Sequence, residues 1–122
     1  MKTIASFLYF LLTPVTALAN PENGSLVGHF RYADINQSSE YTFRDDGMFT
    51  GNVTLHKKIV WECAGTWAIG DGMLNYKFTA SSVDIVPVGT TGKHRLIEIK
   101  SNYFVVEDQN SGRRWTYSRV RE

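Results

Sequence analysis

The sequence has 122 residues, of which 20% are charged and 13% aromatic, and its 13 Lys and Arg nearly balance its 12 Asp and Glu. This length leaves room for one domain, and the balanced charge argues against a nucleic-acid-binding protein, which needs a net basic face. The sequence contains a single cysteine, Cys63. An intrachain disulfide is therefore excluded, and stability has to come from an aromatic-rich core.

Residues 1–19 are predicted to be a removable signal peptide. Lys2 gives the segment a positive start, residues 4–12 are apolar, and small residues lead up to Ala19. The apolar run is too short for a stable transmembrane anchor, so we expect no membrane insertion. Cleavage near Ala19 would remove Lys2 and leave 12 basic and 12 acidic residues. We expect an exported protein, periplasmic or extracellular, in which residues 20–26 form a flexible leader.

Apolar and polar side chains alternate along residues 41–78, which is the period of a β-strand with one buried face. The clusters at 45–47 and 70–72 each contain Asp followed by Gly, and glycine supports the positive φ of a tight hairpin turn. Pro87 confines one further strand to an edge or a bulge, and residues 89–93 form the longest and most mobile loop. Strands are predicted over residues 27–34, 39–44, 48–55, 59–69, 73–80, 83–88, 94–100, 103–108 and 113–120, with a turn at 56–58.

Eight or nine short strands joined mostly by tight hairpins predict an all-β fold. The short connections favour an antiparallel up-and-down meander over a Greek-key sandwich, which needs longer crossovers. Closing this meander into a small barrel over residues 27–121 also removes the exposed sheet edges that promote aggregation. No helical periodicity is present after residue 19.

The interior of such a barrel is either a packed core or a ligand cavity. Each aromatic side chain buries roughly 150–250 Å², so the aromatic residues could fill much of an eight-stranded interior. The predicted inward positions are Phe43, Phe49, Trp61, Trp67, Tyr76, Phe78, Ile97, Ile99, Trp115 and Tyr117. If a cavity exists, the ligand-binding residues are predicted to be Tyr41, Phe49, Trp61, Trp67, Tyr76 and Tyr117.

Four short motifs carry a family resemblance. They are Gly28-His29-Phe30, residues 41–47, residues 65–72 with Gly-Thr-Trp and Gly-Asp-Gly, and residues 115–119. Together they resemble the small bacterial lipocalin-like domains, a branch of the calycin barrels. In lipocalins a Gly-x-Trp of the first strand packs against an arginine of the last strand; here Phe30 stands in place of Trp, and Arg119 is the candidate arginine. The resemblance implies a calyx-shaped exported barrel for a small apolar ligand, without catalytic residues.

Catalytic and metal-binding patterns are missing from the sequence. His29, His56 and His94 lie on different predicted elements without the paired spacing of a metal site. No serine is surrounded by a nucleophile-elbow motif, and the acidic pairs fall at turns, where Asp caps the backbone. Cys63 lies on the predicted buried face, where cysteine packs as a small hydrophobic residue. We expect no catalytic residue, no metal and no cofactor.

A protein-binding barrel with a filled core is the alternative. Exported bacterial barrels of this size include inhibitors of lysozymes and of secreted proteases, which insert a loop into an enzyme cleft. The turn at Ser111 followed by Arg113 and Arg114 loosely resembles such a loop, because arginine pairs well with acidic cleft residues. The loop at residues 89–93 is a second place where an exported or host protein could bind.

The sequence therefore predicts an exported, non-enzymatic binding protein. The preferred partner is a small apolar molecule in the barrel interior, and the alternative partner is a protein. We expect a monomer that binds no nucleic acid. Three Asn-x-Ser/Thr triplets begin at Asn23, Asn36 and Asn52, and they bear on glycosylation only in a eukaryotic source.

Overall fold

A computed structural model describes residues 26–121 as a closed antiparallel barrel of eight strands. The predicted signal peptide and residues 20–25 of the predicted leader lie outside these residues. The strands are β1 (Gly28–Ala33), β2 (Gln37–Phe43), β3 (Met48–Leu55), β4 (Lys58–Gly70), β5 (Met73–Ser81), β6 (Thr91–Ile99), β7 (Tyr103–Glu107) and β8 (Arg114–Arg119). Each strand pairs with the next, and β8 closes the barrel on β1 with Arg119 opposite Phe30. The predicted up-and-down barrel is confirmed.

The two Asp-Gly clusters form the expected hairpin turns. Gly47 has a φ of 85°, and Asp46 Oδ1 accepts a hydrogen bond from the Met48 amide at 3.0 Å. Asp71 and Gly72 have φ values of 55° and 73°, the pair of positive angles that a two-residue hairpin turn requires. These turns set the register in which inward side chains of neighbouring strands face each other.

The barrel has two different ends. The lower end carries the turns at 44–47, 71–72 and 100–102, and it is filled by Leu26, Phe30 and Phe104, which are at most 2% exposed. Leu26 was placed at the end of the predicted leader, and in the structure it is fully buried. The upper end carries the connections at 34–36, 56–57, 82–90 and 108–113.

Aromatic side chains form most of the core next to the lower end. Phe30 packs edge-on against Phe104 with ring centroids 4.8 Å apart, and Phe43 packs edge-on against Trp67 at 5.2 Å. Such edge-to-face pairs stabilise the fold by more than the burial of their apolar area alone. The predicted aromatic core is therefore present.

The predicted strand over 83–88 is wrong. These residues belong to the connection 82–90, because Pro87 has no amide to donate to a ladder, and the side chains of Ile85 and Val88 are 89% and 64% exposed. The predicted loop over 89–93 is wrong in its second half, since β6 begins at Thr91 and Gly92 pairs with Tyr76 of β5. The barrel accordingly has eight strands rather than nine.

The strand pairing shifts register at three places: one lies between Ala64 and Gly65 where β4 pairs with β5, and the other two change which predicted side chains face inward. The pairing shifts between Val53 and Thr54, so Ile59 lies opposite the outward Thr54 and is 58% exposed instead of facing inward with Trp61. A second shift lies between Leu96 and Glu98 on β6. Leu96 and Ile99 pack against the core on either side of this bulge, and Ile97, which was predicted to face inward, is the bulged residue. Phe104 and Val106 of β7, which pair with Ile99 and Leu96, also belong to the core.

No helix within residues 26–121 has the length and apolar composition needed to cross a bilayer.

Candidate functional site

An internal cavity of about 380 Å³ lies in the upper half of the barrel. Its floor is aromatic, because Phe43, Phe49 and Phe104 separate it from the lower end. Its upper wall includes Val86 of the connection 82–90. A volume of this size is typical of sites for small organic molecules. Two larger depressions lie along the outside of the barrel and are open to solvent.

Five of the six predicted ligand-binding residues line this cavity. They are Tyr41, Phe49, Trp61, Tyr76 and Tyr117. They reach it because antiparallel partners share a face, as the pairs Tyr41–Gly51 and Phe49–Gly65 show. Glycine opposite an aromatic residue leaves room for the ring: a Cβ at Gly51 would collide with the ring of Tyr41.

Trp67, the sixth residue, lies outside the cavity lining. Its indole Nε1 donates to the carbonyl oxygens of Arg44 and Met48, both at 3.1 Å, and this anchors it at the lower turn. Trp61 and Trp67 are six residues apart on β4, which is roughly 20 Å along an extended strand. The structure therefore does not place Trp67 with Trp61 in the cavity lining, and this part of the prediction needs correction.

Three tyrosine hydroxyls converge on the cavity. Tyr41 and Tyr117 have ring centroids 5.8 Å apart, and neither hydroxyl makes a hydrogen bond to a residue within 26–121. Burial raises the pKa of both phenols, and the proximity of the tyrosines to one another raises the pKa of each further. The hydroxyls are therefore neutral at neutral pH and can both donate and accept hydrogen bonds.

His94 completes the polar lining, in an inward position that the sequence does not predict. It pairs with Leu74 across β5 and β6 and so faces inward. Its Nδ1 lies 3.4 Å from the Tyr76 hydroxyl, and its ring packs edge-on against Trp115 with centroids 5.7 Å apart. A predicted strand with Ile97 and Ile99 inward would direct His94 outward. The bulge at Ile97 reverses the alternation, so that His94 shares the inward face with Leu96. Ser39 and Gln37 of β2 also line the cavity.

The cavity is electrostatically neutral. Its lining contains no Lys, Arg, Asp or Glu among the described residues. Burial lowers the pKa of His94, and the nearby Asp108 carboxylate opposes that shift. The imidazole is thus uncharged at neutral pH, and no lining group offers a full charge to a bound molecule.

The lower end is closed by Arg119 and Phe30. The guanidinium carbon of Arg119 lies 4.6 Å from the centre of the Phe30 ring. Its Nη1 donates to the Val27 carbonyl at 2.9 Å, and its Nε donates to the Ser101 carbonyl at 2.8 Å. A Cβ at Gly28, which has a φ of 140°, would collide with this guanidinium. The two residues named for barrel closure are thus in direct contact.

Two solved structures share this architecture. The NMR structure of a protein from Bacteroides thetaiotaomicron VPI-5482 matches with a TM-score of 0.59 and 13% identity, covering 81% of this chain and 92% of that one. The crystal structure of a lipocalin-like protein from Bacteroides uniformis ATCC 8492 matches with a TM-score of 0.56 and 12% identity, covering 80% and 100%. The fold is a lipocalin-like β-barrel. No family model matches the sequence, and no curated protein matches it significantly.

The residues of the predicted inhibitor loop lie at the upper end of the lipocalin-like barrel. Ser111 and Arg113 are exposed, and the Arg113 guanidinium is folded back over the Trp115 ring, 5.5 Å from its centre. Arg114 Nε donates to Glu107 Oε2 at 3.0 Å. Both arginines therefore already have partners within the barrel.

The remaining candidate groups are dispersed over the lipocalin-like barrel. His29 Nε2 lies 2.8 Å from Glu40 Oε1 on the outside of β1 and β2, and His56 lies at the tip of the β3–β4 hairpin. Within residues 26–121, no three His, Cys, Asp or Glu side chains come together as a metal site would require. Cys63 is 6% exposed, and burial raises the pKa of its thiol to about 11. A thiol in this state is a poor nucleophile at neutral pH.

Proposed function

We propose that this protein is an exported, non-enzymatic binding protein that holds a small, neutral, largely apolar molecule in its barrel cavity. The observation that carries the proposal is the combination of an aromatic floor with convergent hydroxyls in a cavity of about 380 Å³. Apolar walls with a few convergent polar groups are typical of ligand sites. The lipocalin-like fold, shared with the two Bacteroides structures, supports a binding protein rather than an enzyme.

The polar groups of the cavity define the ligand further. Tyr41 and Tyr117 have hydroxyls without hydrogen-bond partners among residues 26–121, so a ligand with a hydroxyl, carbonyl or amine group would satisfy them. A carboxylate or sulfonate in the same place would be buried without a compensating charge, which is strongly unfavourable. We therefore expect the protein to prefer neutral ligands to anionic ones.

Two dyes that differ by one sulfonate test this preference. N-phenylnaphthylamine is neutral, and anilinonaphthalene sulfonate carries one negative charge on a nearly identical ring system. We expect saturable fluorescence enhancement with the neutral dye and at least about tenfold weaker binding of the anionic dye. Equal binding of the two dyes would contradict the neutral preference, and the absence of saturable binding by either would contradict the cavity as a ligand site.

A variant that fills the cavity tests whether the neutral dye binds inside it. Ser39 is 8% exposed and lines the cavity, so Ser39→Phe should abolish binding of the neutral dye. Ser38 precedes it on β2 and faces the opposite side of the sheet, so Ser38→Phe is the matched control and should bind as the unmodified protein does. Equal loss in both variants, or in neither, would place the dye outside the cavity.

The alternative of an inhibitor barrel has weaker support. An inhibitor loop has to present free arginine side chains, but Arg113 packs on Trp115 and Arg114 pairs with Glu107. The interior contains a cavity instead of the filled core that this alternative assumes. We expect no inhibition of lysozyme in a turbidity assay. Inhibition by the unmodified protein that is lost in Arg113→Ala would favour the inhibitor over the small-molecule carrier.

A further inference from the structure

The exposed large hydrophobic side chains are concentrated at the upper end of the barrel. Of the seven such residues within 26–121, six lie in or beside the upper connections, and Met48 alone lies at the lower end. We call these six the apolar rim: Ile35, Leu55, Ile59, Val60, Ile85 and Val88. Ile35 is 96% exposed and Ile85 is 89% exposed. Single exposed hydrophobic residues are common, but a set confined to one end of a barrel marks an interaction surface.

The loops that carry the apolar rim are joined to one another. The His56 amide donates to the Asn36 carbonyl at 3.2 Å, which links the β1–β2 and β3–β4 connections. The Glu62 amide donates to Ser82 Oγ at 2.8 Å, and the Ser82 amide donates to the Glu62 carbonyl at 2.9 Å. These bonds link β4 to the connection 82–90. The rim residues are thus held on a fixed framework.

The β3–β4 hairpin projects beyond the neighbouring strand. The pairing of β4 with β5 ends at Cys63 opposite Ser81, so residues 58–62 have no partner on that side among the described strands. Ile59 and Val60 lie in this projecting part and are 58% and 46% exposed. Val60 is the bulged residue of the β3–β4 pair, and the bulge directs both side chains away from the barrel interior.

The composition of the apolar rim favours lipid over protein as the partner. All six side chains are aliphatic, whereas the centres of protein interfaces are enriched in Trp, Tyr and Arg. Lys57 and Lys58 lie at the tip of the projecting hairpin, and neither forms an ion pair with a described residue. Aliphatic side chains with adjacent lysines are the combination that binds an anionic membrane interface.

Two acidic residues of this end are directed toward their own loops. Asp34 Oδ1 accepts hydrogen bonds from the Asn36 and Gln37 amides at 2.9 and 3.0 Å, and Asp108 Oδ1 accepts one from the Asn110 amide at 2.8 Å. Asp84, next to Ile85, opposes attraction to an anionic surface. Hydrophobic contact should therefore provide most of the affinity, with the lysines adding to it.

We propose that the apolar rim docks peripherally on a lipid surface that contains anionic phospholipid. Docking of loop tips at the interface requires no membrane-spanning segment. Val86 of the connection 82–90 lines the cavity, so the docked face would also be the face through which an apolar molecule enters or leaves. The proposal stands on the rim and not on the identity of the ligand.

Vesicle co-sedimentation of the protein purified in its exported form tests the proposal. We expect binding to vesicles of phosphatidylcholine with phosphatidylglycerol, and weaker binding to phosphatidylcholine alone. The double variant Ile35→Ser/Ile85→Ser should bind at least about tenfold more weakly, because both side chains lie at loop tips. The matched control is Met48→Ser, which removes the exposed hydrophobic residue of the lower end and should bind normally.

Charge reversal gives a second comparison. Lys58→Glu at the projecting hairpin should weaken binding to the anionic vesicles, whereas Lys100→Glu near the lower end should not. Absence of vesicle binding, equal loss in the Met48→Ser control, or rim-dependent self-association in analytical ultracentrifugation would each overturn the proposal. Dye binding by the rim variants without vesicles should remain unchanged, which separates this test from that of the cavity.

Discussion

Tyr76 and His94 form a stacked pair in the wall of the cavity. Their ring planes are inclined by 23° with centroids 5.6 Å apart, and the Tyr76 hydroxyl lies 3.4 Å from His94 Nδ1. Burial raises the pKa of Tyr76 and lowers the pKa of His94, so both groups are uncharged at neutral pH. The pair therefore makes folding stability sensitive to pH on the acidic side.

The first prediction concerns that sensitivity. The unfolded chain protonates His94 near its ordinary pKa of 6.5, whereas the folded chain resists protonation until a lower pH. The unfolded state thus binds more protons in this interval, and the free energy of unfolding should fall as the pH falls below about 6.5. His94→Gln should remove this part of the decline. Urea unfolding at a series of pH values measures it, and identical slopes for both proteins would contradict the assignment.

The second prediction concerns the contact between Arg119 and Phe30. Arg119→Ala removes the cation–π contact and leaves two carbonyl groups without their donors, so it should lower the free energy of unfolding by about 2–3 kcal/mol. Arg119→Lys keeps the charge but cannot reproduce the fork that reaches Val27 and Ser101, and it should recover less than half of the loss. Arg121→Ala, at an exposed position, is the control. Urea unfolding of the variants gives the comparison.

The third prediction concerns Cys63. The side chain is 6% exposed, and burial raises the pKa of its thiol to about 11, so the native protein should not react with a disulfide reagent at pH near 8 over minutes. In urea the same thiol should react at once. Rapid labelling of the folded protein, measured by absorbance of the released thiolate, would show that β4 opens more easily than its pairing on both sides suggests.

Much of the fold could be predicted because its signals are local. Alternation identifies a strand from a few residues, and the Asp-Gly turns at 46–47 and 71–72 fix where two of the hairpins reverse. The positions of the β-bulges, in contrast, cannot be recognised from the neighbouring residues in the sequence. Whether Ile97 or Leu96 faces inward depends on the register that β7 imposes on β6, and nothing within residues 94–100 reports it. Without this register, the inward position of His94 could not be predicted either.

The cavity itself could not be predicted from the sequence. An aromatic-rich barrel can be full or hollow, and the outcome depends on how the rings tilt and where they lie along the barrel axis. Here Phe43, Phe49 and Phe104 lie low, Trp67 is tied to the lower turn, and the space above them remains open. Five of the six predicted residues therefore line the cavity and Trp67 does not, and their role in ligand binding stays a prediction.

The last prediction concerns the tip of the β3–β4 hairpin. His56 and Lys57 have φ values of 51° and 69°, so two residues with ordinary side chains occupy the left-handed region that glycine and asparagine adopt at lower cost. Replacing the pair by Asn-Gly, as His56→Asn/Lys57→Gly, should raise the free energy of unfolding by about 1–2 kcal/mol. Gly72→Ala, where φ is 73°, should change stability by about 1 kcal/mol in the opposite direction. Urea unfolding of the two variants tests both signs. Unchanged or lower stability of the Asn-Gly variant would mean that His56 or Lys57 makes contacts that offset the backbone cost.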